Sequence, residues 1–145
     1  MKNGRVEEWI ERLQQEGYRQ TAPRRAVVEV MAATHQVLSP AEVFDLAQEE
    51  YSRIGLVTVY RTIDKLEELG LIQRVHRSSG CQAFIAAAPG HQHLLVCRYC
   101  GHVEYFSGDR LDSLIHAVEG ESGYQVEEHW LQLFGTCARC RKAIQ

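Results

Sequence analysis

Apolar residues recur at three- and four-residue intervals through the first half of the chain and gather in short runs through the second. In "VEEWIERL", Val6, Trp9, Ile10 and Leu13 fall on one face of a helix that Gly17 ends. "TAPRRAVVEVMAAT" predicts a second helix, with Pro23 suited to its first turn. "SPAEVFDLAQEEY" predicts a third, opened by a capping box of Ser39 and Glu42 with Pro40 at the first helical position. "LVTVYRTIDKLEELG" predicts a fourth, with Val59, Ile63, Leu66 and Leu69 on its apolar face and Gly70 as its stop.

The pattern then changes. "LIQRVH" and "CQAFI" are strand-like runs joined by the turn residues "RSSG". Helices followed by a two-stranded hairpin are the order of a winged-helix unit. Residues 86–90, "AAAPG", read as a hinge, because Pro-Gly breaks regular structure. Beyond it, "HLLVC" and "HVEYF" predict strands flanking a Cys-Arg-Tyr-Cys turn. "SGDRLDSLIHAVEGESG" predicts a helix with Leu111, Leu114, Ile115 and Val118 as its apolar face, and "YQVEEHWLQLF" a long strand leading into "CARC". The expected fold class is α+β: a winged-helix unit over 1–85, a hinge over 86–90, and a small α/β unit over 91–145.

Composition narrows the class. At 45% hydrophobic and 24% charged residues, the 145-residue chain is globular rather than disordered. No apolar run approaches the roughly 18 residues a membrane span needs. The charged, amphipathic start "MKNGRVEEWIERL" has no apolar leader core, so a cytoplasmic location is expected. The net charge of −3 carries no overall nucleic-acid signal, so any DNA-binding surface is a local patch. Tyr60, Arg61 and Lys65 sit on the fourth helix, Arg19, Arg24 and Arg25 come earlier, and Arg74 and Arg77 lie on the hairpin. A helix presenting Tyr and Arg can enter a major groove, where Arg reads guanine edges and Tyr meets thymine methyls or phosphate. The plainer alternative is a solvated face of mixed charge.

The cysteines carry a stronger signal. Cys97 and Cys100 flank two residues, and so do Cys137 and Cys140. Two such turns supply the four thiolates of a structural zinc site, a closed shell that leaves no position for a substrate. The alternative is a redox dithiol, which needs only one pair. The fifth, Cys81, reads as a core strand residue, with a redox or metal-responsive thiol as the other reading. No phosphate-binding glycine loop, nucleophile motif or placed general base points to an enzyme.

Taken together, "GYRQTAPRRAVVEVM", "SPAEVF", "TVYRTIDKLEELGLIQRVH", "HQHLLVCRYCGHVEYF" and "YQVEEHWLQLFGTCARC" resemble the ferric uptake regulator family of metal-responsive transcription factors over nearly the whole chain. The resemblance implies a winged-helix domain, a C-terminal dimerisation domain, and a homodimer that binds palindromic double-stranded DNA operators, usually repressing when loaded with zinc or iron. By matching position, Arg19 resembles the basic residue that reaches the minor groove, and Tyr60 and Arg61 resemble the recognition-helix contacts. His91 and His93 alternate along the strand and so face one way. With Asp112 and His129 they occupy the four places of a family metal site near the hinge. Three imidazoles and a carboxylate suit zinc or ferrous iron. The family's further sensing site between the domains has Val37, Ile85, Gln92, Leu94 and Tyr105 at its matching positions, and most of these cannot bind metal. His76, His102 and His116 read as surface or structural. The alternative function is a DNA-binding regulator with purely structural metals that answers another signal, such as oxidation of Cys81.

Overall fold

A computed structural model describes residues 2–77, 79–108 and 110–144, with side chains from Gly4 onward. Ser78 of the "RSSG" turn and Asp109 of the expected fifth helix lie outside the described residues. The chain divides into two compact units, Met1–Ala87 and Ala88–Gln145, and the division falls within 86–90.

The first unit is a winged helix. Helices α1 (Lys2–Gln15), α2 (Ala22–Ala33), α3 (Pro40–Glu50) and α4 (Leu56–Glu68) precede a hairpin of β1 (Ile72–His76) and β2 (Gln82–Ala86). Their apolar faces meet in one core. Val6, Trp9, Ile10 and Leu13 of α1 join Val27, Val28 and Met31 of α2, Val43 and Ala47 of α3, and Val59, Ile63 and Leu66 of α4. Ile72 and Phe84 add the wing. α1 gives way to Gly17 at φ +86° and α4 to Gly70 at φ +72°, left-handed positions that favour glycine.

Two helix starts are capped by hydroxyls. The Thr21 oxygen accepts from the Arg24 N–H at 3.4 Å, and the Ser39 oxygen from the Glu42 N–H at 3.2 Å. The expected capping box closes only on that side, because the Glu42 carboxylate takes Arg77 of the wing at 3.0 Å instead. The wing pairs antiparallel, Ile72 opposite Ala86 and His76 opposite Gln82. Leu38 adds a short third rung: its N–H donates to the Phe84 carbonyl at 3.0 Å and its carbonyl accepts from the Phe84 N–H at 2.8 Å. Ala86, expected in the hinge, is the last residue of β2 and is buried.

The second unit is a three-stranded sheet in the order β4-β3-β5, with α5 (Leu111–Ser122) and α6 (Ala138–Ile144). β3 (Gln92–Cys97) runs antiparallel to β4 (Val103–Ser107) and parallel to β5 (Gln132–Gly135). Two expectations are corrected. The long strand over 124–134 shrinks to the four residues of β5, and 124–131 has no regular structure. Among the described residues no strand pairs with it: Trp130 is exposed, and the Val126 N–H donates to the Glu119 carboxylate. The second C-x-x-C, read as a tight turn, instead opens α6. None of the α5 apolar face is buried within the chain.

Candidate functional site

Local chemistry builds the cysteine cluster. Cys97 ends β3, and Cys100 follows on a turn that Gly101 closes at φ +73°. The parallel register sets Cys97 opposite Gly135, and the Arg98 N–H donates to the Gly135 carbonyl at 2.9 Å. This clamps the first turn to the residues just ahead of Cys137. The four sulfurs lie within 4.8 Å of one another, with Cys100 Sγ 3.8 Å from Cys137 Sγ. The Cys137 N–H points at Cys97 Sγ at 3.4 Å, and the Cys140 N–H at Cys137 Sγ at 3.5 Å.

N–H donors favour the thiolate at two of the sulfurs. Burial raises the Cys97 thiol, but N–H donation from Cys137, Cys100 and Tyr99 overrides it and brings the thiol down to about 6. The His102 N–H lowers Cys100 against the cost of burial. Cys140 is pushed up to about 12, first by sharing its proton with Cys137 and then by burial. Metal binding to such a cluster displaces thiol protons. Four sulfurs gathered within 4.8 Å of one another, with supporting N–H donors, fit structural zinc.

The histidines are arranged differently. His93 sits on β3 opposite Phe106, its ring 5.8 Å from the Phe106 ring and 5.2 Å from the His129 ring. Gly108 lies directly beneath it: a Cβ there would stand 2.4 Å from His93 Cδ2 and Nε2. His91 lies just before β3, not on it, and its carbonyl accepts from the Gly108 N–H at 3.3 Å. His129 lies in the irregular 124–131 segment rather than on a strand, and Asp112 is exposed in the first turn of α5. The structure thus brings His93 and His129 together. Among the described residues, the four cysteines are the one group of three or more donors gathered closely enough for a single ion.

The basic cluster also separates into two kinds of residue. Arg74 is fixed by two bonds to Glu67, at 3.0 and 2.9 Å, and lies over Phe84. Arg77 joins Glu42 and the Val37 carbonyl, Arg25 joins Glu7 and Glu29, and Lys65 joins Glu68 over the Tyr18 ring. Arg24 donates to the Arg19 carbonyl at 2.6 Å. Arg74 and Arg77 therefore brace the wing rather than extend a free basic patch. Arg19 and Arg61 are exposed, and among the described residues neither makes an ion pair. Both line one cleft of about 320 Å³, formed by the end of α1, the start of α2 and α4. Tyr60 stands beside Arg61 on α4, half exposed.

Other expectations resolve plainly. Cys81 is exposed ahead of β2, not in the core, because the strand starts one residue later. His76 and His116 are exposed, and His102 lies 3.9 Å from Glu104 at the surface. Val37, Ile85 and Leu94 are buried at 3%, 1% and 0% exposure, so apolar packing occupies three of the positions that match the family's further sensing site.

The Ferric uptake regulator family model matches residues 15–134. The chain belongs to the ferric uptake regulator family. The Ferric uptake regulation protein of Bacillus subtilis is 30% identical over 140 residues, covering 94% of each chain. That of Cupriavidus metallidurans is 33% identical over 124 residues, covering 85% of this chain and 87% of its own. The crystal structure of the Vibrio cholerae ferric uptake regulator superposes with a TM-score of 0.70 at 30% identity, over 88% of this chain and 98% of that one. A zinc uptake regulator complexed with zinc and DNA shares the fold at a TM-score of 0.75 and 21% identity, over 99% of this chain and 97% of that one. As a family member the chain is a DNA-binding regulator and not an enzyme. No helix among the described residues is long and apolar enough to cross a membrane.

Proposed function

We propose that the protein is a cytoplasmic, metal-responsive repressor that binds palindromic double-stranded DNA operators as a homodimer. Zinc on Cys97, Cys100, Cys137 and Cys140 holds the second unit together. Zinc or ferrous iron held by His91, His93, Asp112 and His129 forms the exchangeable site. The observation that carries this reading is the separation of two donor sets within one unit: a sulfur cluster without histidine, and a His93–His129 pair without sulfur. Sulfur suits a permanent ion, and mixed nitrogen and oxygen ligands suit an exchangeable one. Arg19, Tyr60 and Arg61 supply the DNA contacts. The uncovered apolar face of α5, with Leu114 and Val118 exposed, supports pairing with a second copy.

In this reading residues 86–90 are the hinge between a DNA-binding domain over 1–85 and a dimerisation domain over 91–145. His91 and His93 follow the hinge, while Asp112 and His129 belong to the body of the dimerisation domain. Joining the four restricts how the hinge exits. That selects the arrangement in which both heads meet half-sites at a fixed spacing. His93→Ala and His129→Ala are each expected to shift operator binding to higher metal concentration, read by fluorescence anisotropy across a metal titration. Curves superimposable on the unaltered protein's would contradict the switch. Gly108→Ala should act on the same site without removing a ligand. The new methyl displaces the His93 ring, and affinity for the second metal should fall about tenfold, as when a ligand's support is lost. Competition against a chromogenic chelator measures it, with zinc on the cysteines as the internal reference.

A second reading draws on the exposure of Cys81. Here both metals are structural and oxidation of that thiol is the signal. It requires that chelating the second metal leave operator affinity unchanged and that Cys81→Ser abolish the response to oxidant.

A further inference from the structure

α4 has two opposed faces. Val59, Thr62, Ile63 and Leu66 enter the core. Val57, Tyr60, Arg61 and Asp64 stand at i, i+3, i+4 and i+7 on the opposite side, all but shut out of it. Val57 is 62% exposed, at the second position of the helix, where its branched side chain contributes neither core packing nor helix propensity. Single exposed apolar residues are common on protein surfaces, so exposure alone decides nothing. Position decides here. Val57 lies one turn ahead of Tyr60 and Arg61 on their own face, at the helix end from which a recognition helix contacts base edges. A valine side chain offers no donor and no acceptor. The one base-edge feature in the major groove that it can favour is the C5-methyl of thymine.

We infer that Val57 reads a thymine methyl in each half-site, beside the base that Arg61 contacts, and thereby fixes thymine at one operator position. The inference rests on the DNA-binding reading above and adds a specificity residue to it. Val57 and Arg61 divide the work: the guanidinium selects by hydrogen bonds, and the valine selects by apolar contact alone.

The test isolates one methyl group. The full-length protein, loaded with zinc or with ferrous iron, selects its site from a random duplex library. Each thymine of that site is then replaced by deoxyuridine, which removes only the C5-methyl. Affinities are measured for the unaltered protein and for Val57→Ala, a substitution that suits the helix and keeps the fold. At one thymine per half-site, deoxyuridine should weaken the unaltered protein about fourfold, the equivalent of one buried methylene, and roughly fifteenfold when both half-sites are changed. Val57→Ala, with a shorter side chain, should discriminate thymine from deoxyuridine less than the unaltered protein at that position. A flat deoxyuridine profile for the unaltered protein overturns the inference and leaves DNA binding standing. An equal methyl effect in Val57→Ala assigns the methyl to another side chain and also overturns it. A selection that enriches no site removes the DNA-binding reading itself, and the inference with it.

Discussion

Cys137→Ser is expected to release zinc and unfold residues 88–145 while the winged helix stays folded. The reason lies in how unequally the two units bury apolar surface. The helical unit has a continuous core from Val6 to Ala86. Among the described residues of the second unit, the buried apolar ones are Leu94, Val96, Cys97 and Val103, and α5 contributes none. So thin a core does not sustain a small unit alone. A structural zinc supplies apparent folding free energy of about 10–16 kcal/mol in small metal-dependent folds. Serine offers no thiolate at neutral pH: its oxygen can still accept from the Cys140 N–H at the start of α6, but it leaves zinc one sulfur ligand short. Zinc release to a colorimetric chelator, followed by circular dichroism on heating, measures both consequences. The helical signal of the first unit should persist with its own melting transition. A variant that keeps its zinc and a single unchanged transition would contradict this account of the cysteine cluster.

Arg61→Ala is expected to weaken operator binding by about ten- to a hundredfold per half-site, the range for losing one bidentate guanine contact. The loss should come without destabilisation, since Arg61 is exposed and makes no ion pair among the described residues. Arg74→Ala is the informative contrast. Its guanidinium holds Glu67 with both partners about a third exposed, so its removal should cost roughly 1 kcal/mol or less of stability. It should leave base preference unchanged. Anisotropy on the preferred operator and on altered sequences, at one fixed salt concentration, separates the two, because base contacts define the preferred sequence and phosphate contacts do not. Equal losses for both variants, on every sequence, would assign Arg61 to general electrostatics rather than to readout.

These contrasts also mark what the sequence can and cannot carry. Helical faces were legible because their spacing is local: Val6, Trp9, Ile10 and Leu13 meet the core as their periodicity requires. The same holds for the Ser39 cap and for the stop at Gly70. Pairing choices between distant segments were not legible. Glu42 forgoes its own helix start for Arg77, which comes from the wing. Arg74 and Arg77 look like members of a basic patch until Glu67 and Glu42 are seen to hold them. The alternation in 124–131 resembles a strand, but a strand exists only where a neighbour accepts its hydrogen bonds, and β3 offers that to Gln132–Gly135. In the candidate site, the cysteine spacing identified all four cluster members. The packing of Gly108 beneath His93 had no sequence signature, because it depends on the register between β3 and β4.

The most direct test of the central proposal, a structural zinc on sulfur and an exchangeable metal on nitrogen and oxygen, is metal content per chain before and after mild chelation, with operator affinity measured on both samples. The account predicts two metals falling to one, with the remaining zinc on the cysteines and operator binding lost. Two metals falling to one with operator binding intact would contradict it, and would leave Cys81 as the signal to pursue.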